Sequence, residues 1–181
     1  MAKKTYCLER IKFLIVEDNK HMRCLINNVL VALGAVHIME AEDGADALKA
    51  LRDFQADIII CDWNMAPMDG IKFTRAMRNS IDSPNPYAPI IMLTGHSGKD
   101  RVVEARDAGV HEFVAKPFSA KSIYSRIRAI IERPRVFIRT VGESAYFGPD
   151  RRRKNLSEFS GQERRKEAQD FPGFDVDLDL D

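Results

Sequence analysis

Five side chains able to do chemistry stand at the ends of short apolar runs. FLIV leads into Glu17 and Asp18, IIIC into Asp62, IIML into Thr94, and FVA into Lys116. Brought to one place, they would gather three carboxylates, a hydroxyl and an amine. Like charges about 4 Å apart cost on the order of 4 kcal/mol at an effective dielectric of 20, so three carboxylates ask for a cation. All-oxygen ligation with few protein groups suits Mg²⁺, which keeps several waters and shares its site with phosphate oxygens. Beside such an ion a carboxylate can attack phosphorus. Asp62 is the natural nucleophile, with Lys116 as a point charge and Thr94 as a hydroxyl donor for the phosphoryl oxygens.

That chemistry requires elements that bring the five positions together. Residues 11–16 form one apolar run, and Met22, Leu25, Ile26, Val29, Leu30 and Leu33 then fall on one face of an amphipathic helix that stops at Gly34. The alternation continues with strands predicted over 36–39, 56–61, 90–93 and 112–115, and helices over 44–54, 70–79, 99–108 and 119–133. Asp43-Gly44 and Asp69-Gly70 read as turn and cap residues. Continuous apolar strands separated by amphipathic helices mean a parallel sheet covered on both faces. Five strands are too few for a closed eight-fold barrel, which leaves an open, doubly wound α/β sheet. Such sheets bind ligands beyond the carboxyl ends of their strands, where the five side chains stand. With strand order 2-1-3-4-5, the first and third strands are neighbours about 5 Å apart and their acids crowd together.

Composition narrows the function classes. The 181 residues are 45% hydrophobic and 30% charged with a net charge of +1, so the overall balance points to neither nucleic acid nor an anionic membrane. The start, MAKKTYCLERIKF, is charged and lacks an apolar core, and no later apolar run approaches the roughly 18 residues of a membrane span. A cytoplasmic protein without a membrane partner is expected. Cys7, Cys24 and Cys61 are odd in number and scattered, which suits a reducing compartment and disfavours zinc. His21, His37, His96 and His111 show no metal-binding spacing, although His96 lies close enough to Thr94 to edge the site. Trp63 is expected as a partly exposed loop aromatic gating access to Asp62, and Cys61 as a small buried hydrophobe.

FLIVEDN, ICDWNMAPMDG, IMLTGH and EFVAKPFSA together resemble the motifs of the bacterial two-component response-regulator receiver domain, in order, over residues 10–133. The resemblance implies the flavodoxin-like receiver fold and an aspartate, Asp62, phosphorylated from a histidine kinase or phosphotransfer protein. It implies Mg²⁺ bound by Asp18 directly, by Glu17 through water or as the second acid, by Asp62, and by the backbone carbonyl of Asn64. Lys116 and Thr94 keep phosphate-contact roles, and Lys116-Pro117 matches a cis X-Pro bond of the family. Thr94 and Phe113 are the switch pair: the phosphoryl group draws Thr94 inward and opens room for Phe113, shifting the face of the fourth helix, fifth strand and fifth helix. A homodimer through that face and an unidentified downstream protein are the implied partners. Such a protein is a phosphoacceptor whose only catalysis is Mg²⁺-assisted phosphorylation and dephosphorylation of itself.

Residues 134–181 carry 15 hydrophobic residues in 48, too few for a second core, and nine basic against ten acidic residues. A solvated extension is the plain expectation. RVFIRT can add a short strand; docking of Tyr146-Phe147 on the receiver and capture of an acidic partner or nucleic acid by Arg151 to Lys154 are the sharper ones. Two other functions compete. A DNA-binding regulator needs amphipathic recognition helices, and none is visible after residue 133. A haloacid-dehalogenase-like phosphatase needs a second Asp two residues past the nucleophile, where Asn64 stands and cannot act as a general acid.

Overall fold

Apolar runs too short for helices become the strands of one parallel sheet. The computed structural model describes residues 6–95, 98–140 and 145–151. Its strands are β1 (Lys12–Val16), β2 (His37–Ala41), β3 (Ile58–Asp62), β4 (Ile90–Thr94) and β5 (Glu112–Ala115), all parallel in the order β2-β1-β3-β4-β5. Between and after them run α1 (Lys20–Ala32), α2 (Gly44–Asp53), α3 (Gly70–Asn79), α4 (Lys99–Ala108) and α5 (Ala120–Glu132). This is the doubly wound architecture expected from the apolar pattern.

Alternation along the strands sorts the core into two layers. Leu14, Val16, Ile59, Cys61 and Met92 face α2, α3 and α4, where they meet Leu51, Phe73, Met77 and Ala105. Phe13, Ile15, Ile58, Ile60, Ile91 and Leu93 face the other way, onto Ile26 and Leu30 of α1 and Ile123 and Ile127 of α5. β3 and β4 are buried at every residue because helices cover both faces. Each of their isoleucines contributes about 1.5–3 kcal/mol through burial. Leu25, expected on the buried face of α1, is instead 48% exposed; the inward stripe is Arg23, Ile26 and Leu30.

Helix starts are fixed by side chains. Asn19 Oδ1 accepts from the backbone N–H groups of His21 and Met22, Asp43 Oδ1 from Ala45 and Asp46, and Asp69 Oδ1 from Lys72. Ser119 and Ser122 form a reciprocal capping box on α5. α4 differs. Its N-cap is Gly98, which offers no side-chain cap, and its buried described side chains are Ala105 and Ala108. It ends on Gly109 at φ +100°, a left-handed turn that favours glycine.

Beyond α5 the chain forms an antiparallel pair, β6 (Phe137–Thr140) and β7 (Tyr146–Pro149). Tyr146 and Phe147 are each 5% exposed. Phe147 meets Tyr87 edge-on, with ring centroids 5.4 Å apart, and lies 5.5 Å from Phe137; Phe137 in turn meets Tyr87 and His111. Beneath them Arg78 of α3 is buried, donating to the carbonyls of Gly109 (3.2 Å), Pro86 (2.7 Å) and Ala88 (2.8 Å), with Phe137 over its guanidinium. Burial lowers Arg78 to about 9, which leaves it charged at neutral pH. Arg135 donates to the His111 carbonyl, and Arg151 stacks on Tyr146 and pairs with Asp107 at 2.9 Å. The solvated-extension expectation therefore fails over these strands: a few clustered rings supply an apolar surface that the low average hydrophobicity of the segment conceals. The docking of Tyr146 and Phe147 is what the fold displays. Residues 152–154 of the basic cluster, the acidic end and His96 lie outside the described residues.

Candidate functional site

The carboxyl ends of β1, β3, β4 and β5 converge as the winding requires. Glu17 follows β1 and is 1% exposed; Asp62 closes β3 at 6%, and Thr94 closes β4 at 5%. Asp18 is exposed beside them. Carboxylate oxygens of Glu17, Asp18 and Asp62 lie within 4.8 Å of one another. Lys116, just past β5, places Nζ 2.9 Å from Glu17 Oε2 and 2.9 Å from Asp62 Oδ1. The peptide between Lys116 and Pro117 is cis.

Electrostatics follow from this crowding. Burial raises the Glu17 carboxyl above its ordinary range and the Asp62 charge adds to the rise, while the Lys116 bond and the Asn19 N–H oppose it. Burial alone would lower Lys116, but its bonds to Glu17 and Asp62 outweigh that and raise it, so the ammonium stays charged. Burial pushes the Cys61 thiol well up, next to Asp62 and Glu17; it remains protonated and donates to the Asp62 carbonyl. A hard divalent ion fits the donor set among the described residues: three carboxylates, one of them open to water.

Local packing seats Asp62. A Cβ on Gly70 would collide with the Asp62 carbonyl oxygen and stand 3.1 Å from Cys61 Sγ, so only glycine lets α3 start against the end of β3. Gly70 N–H donates to the Trp63 carbonyl and Trp63 N–H to the Leu93 carbonyl, which fixes the chain on both sides of the loop. Asn64 is exposed in that loop. Trp63 overturns the expectation of an exposed gate: it is 6% exposed, with the Arg101 guanidinium of α4 5.1 Å from its ring centre. Phe113 is half-buried in β5 and lines a groove of about 390 Å³ with Pro117, Phe118, Ser122 and Arg126.

Sequence reasoning missed one polar side chain at the site. Arg23 is 8% exposed and donates through Nη1 to the Glu17 backbone carbonyl at 2.7 Å. Its signal was present, since a charge at position 23 shares the i, i+3, i+7 stripe of Ile26 and Leu30.

Comparison with known proteins agrees with this geometry. The sequence profile described as "Response regulator receiver domain" matches residues 13–128. The chain is 40% identical over 123 residues to chemotaxis protein CheY of Pseudomonas aeruginosa, covering 68% of this chain and 98% of that protein. It is 34% identical over 125 residues to chemotaxis protein CheY-3 of Vibrio cholerae, covering 69% and 95%. Among solved structures, Vibrio cholerae CheY4 superposes with a TM-score of 0.61 at 28% identity over 66% of this chain and 98% of that one. The receiver domain of a sensor histidine kinase from Pseudomonas aeruginosa PAO1, solved with a magnesium ion coordinated in its active-site cleft, gives 0.60 at 26% identity over 67% and 98%. Sheet order, acidic cluster and sequence agree, and the chain belongs to the response regulator receiver family, signalling modules of phosphorylation-dependent two-component systems rather than classical enzymes.

Proposed function

We propose that Asp62 is the phosphoacceptor, charged by a histidine kinase or phosphotransfer protein, and that the chain signals through protein contacts that differ between its two states. The observation that carries the reading is the convergence of Glu17, Asp18 and Asp62 within 4.8 Å with the Lys116 ammonium 2.9 Å from both Glu17 and Asp62. Glu17, Asp18, Asp62 and the Asn64 carbonyl would hold Mg²⁺, which when bound neutralises the carboxylates and the incoming phosphoryl oxygens. An Asp62 carboxylate oxygen attacks phosphorus; the P–N bond to the donor histidine breaks, and the released imidazole takes up a proton. Lys116 trades one carboxylate partner for a phosphoryl oxygen, and the Thr94 hydroxyl donates to another. The mixed acyl phosphate is the stored signal.

Thr94 and Phe113 carry the signal outward. Thr94 closes β4 beside Asp62, to which Leu93 is registered, and Phe113 stands opposite Met92 on β5. Moving two states from 1:99 to 99:1 takes about 5.5 kcal/mol of differential stabilisation, within reach of two or three charge-assisted hydrogen bonds. The output surface is α4, β5 and α5, which a downstream protein or a second copy engages. Residues 10–133 form the receiver in this reading, and the β6–β7 pair is an addition packed on it. No helix among the described residues is long and apolar enough to cross a membrane.

Intact-mass spectrometry with a small phosphodonor and Mg²⁺ tests the reading. One adduct of about 80 Da, a phosphoryl group in place of a proton, is expected on the unmodified chain and none on Asp62→Asn or without Mg²⁺. Equal labelling of Asp62→Asn refutes the assignment.

A further inference from the structure

Arg23 is a buried cation that the phosphoryl chemistry above does not use. Its guanidinium spends its donors on three acceptors in two segments. Nη1 donates to the backbone carbonyl of Glu17 at 2.7 Å, Nε to Glu40 at the end of β2 at 3.0 Å, and Nη2 to Glu42 just beyond β2 at 3.1 Å. Glu40 is held in place by a further bond from Asn27 Nδ2 at 2.8 Å. The carbonyl that Arg23 grips belongs to the residue before Asp18, so one planar fork fixes the backbone from which two acids of the cluster project. A cation this near the cluster would ordinarily oppose a divalent ion. Here two carboxylates answer one guanidinium, and the trio carries a net charge of −1.

We propose that Arg23 is a positioning residue for the acidic cluster: it holds Glu17 and Asp18 at metal-binding separation, while Glu40 and Glu42 supply the counter-charge that lets a cation do so without repelling the metal. The inference rests on the metal site proposed above. It excludes lysine as a substitute, because a single ammonium on a flexible stem cannot span the three acceptors that the fork reaches.

Calorimetric titration of the full chain with MgCl₂ tests it, comparing wild type, Arg23→Lys, Arg23→Gln and the double variant Glu40→Gln/Glu42→Gln. Losing a partner that orients metal ligands lowers affinity about tenfold to a hundredfold, and both Arg23 variants are expected in that range. The double variant keeps the grip on Glu17 but uncovers the positive charge, and a severalfold loss is expected; its partners are 40% and 74% exposed, so folding is preserved. Adduct formation should regain the wild-type rate at saturating Mg²⁺ in all three variants, a split that mere destabilisation would not give.

Opposite outcomes are informative. If Arg23 acted by charge alone, Arg23→Lys would match wild type and Arg23→Gln would bind Mg²⁺ more tightly; either result overturns positioning. Unchanged affinity in both Arg23 variants overturns it as well, whatever happens to their thermal midpoints. A double variant that binds as tightly as wild type removes the counter-charge role. Absence of Mg²⁺ binding by the wild-type chain would instead sink the metal-site reading, and this inference with it.

Discussion

Replacing Arg78 with Met keeps most of the aliphatic stem and deletes the guanidinium that joins α3, the loop before β4, the turn after α4 and β6. The carbonyls of Gly109 and Ala88 are fully buried with it, while that of Pro86 is partly so. A buried acceptor left without a partner costs about 1–3 kcal/mol, so two of them put the loss at about 2–6 kcal/mol. Met escapes the desolvation of a buried charge, the same burial that lowers Arg78 to about 9, and this trims the upper end. We expect a net loss of about 2–4 kcal/mol, survivable against the 5–15 kcal/mol typical of a domain. Urea denaturation at pH 7, followed by circular dichroism, should show the midpoint falling by about 1–2 M for an m-value near 2 kcal/mol/M. Arg128→Gln is the control: it breaks a partly exposed i,i+4 ion pair with Glu132 and should cost less than about 1 kcal/mol. A midpoint for Arg78→Met within about 0.3 M of wild type would refute the reasoning, showing that the carbonyls lose nothing by losing the arginine.

His111 gives the acid limb of stability its sign. Burial foremost, then Arg78 and Arg135, push its imidazole well below the ordinary value, so the folded chain holds it neutral while the unfolded chain takes up a proton below about pH 6.5. The unfolded state then binds more protons, and stability falls as pH drops through that point by up to about 1.4 kcal/mol per pH unit. His111→Gln should flatten the urea-midpoint profile between pH 6.5 and 5; an identical slope in both proteins contradicts this. Gly70→Ala forces a methyl against the Asp62 carbonyl, with an expected destabilisation of about 1–3 kcal/mol. On the proposed function it also slows adduct formation about tenfold to a hundredfold, read from an intact-mass time course, since small misplacements of reacting groups carry such costs. Wild-type kinetics in a folded Gly70→Ala chain would contradict the seating of Asp62 by α3.

How much of this was legible before folding depended on the range of the interactions. Strands and helices follow from local periodicity, the order 2-1-3-4-5 from the resemblance to the receiver fold, and the gathering of Glu17, Asp62, Thr94 and Lys116 from the parallel sheet, which sends all its strand ends the same way. The caps at Asp43 and Asp69 are local too. Trp63 was misread because it joins the hydrophobic core on the α2–α4 side of the sheet and meets Arg101, 38 positions away on α4, contacts that the local sequence does not show. A strand at RVFIRT and the docking of Tyr146-Phe147 were open to local reading, but the pairing of β6 with β7 and the partners Tyr87, His111 and Arg78 were not, because they are distant in sequence and the segment is polar on average. Leu25 exchanged places with Arg23 because acceptors, rather than apolar surface, wait where Arg23 points.

The contact of Arg151 with Asp107 has a mechanical consequence. It ties the end of the hairpin to the last turn of α4, the helix with the least apolar grip among the five, whose described buried side chains are two alanines. Arg151 stacks on Tyr146 as well, so the same guanidinium touches both the hairpin and that helix, and a rearrangement of the helix is felt at the end of the hairpin.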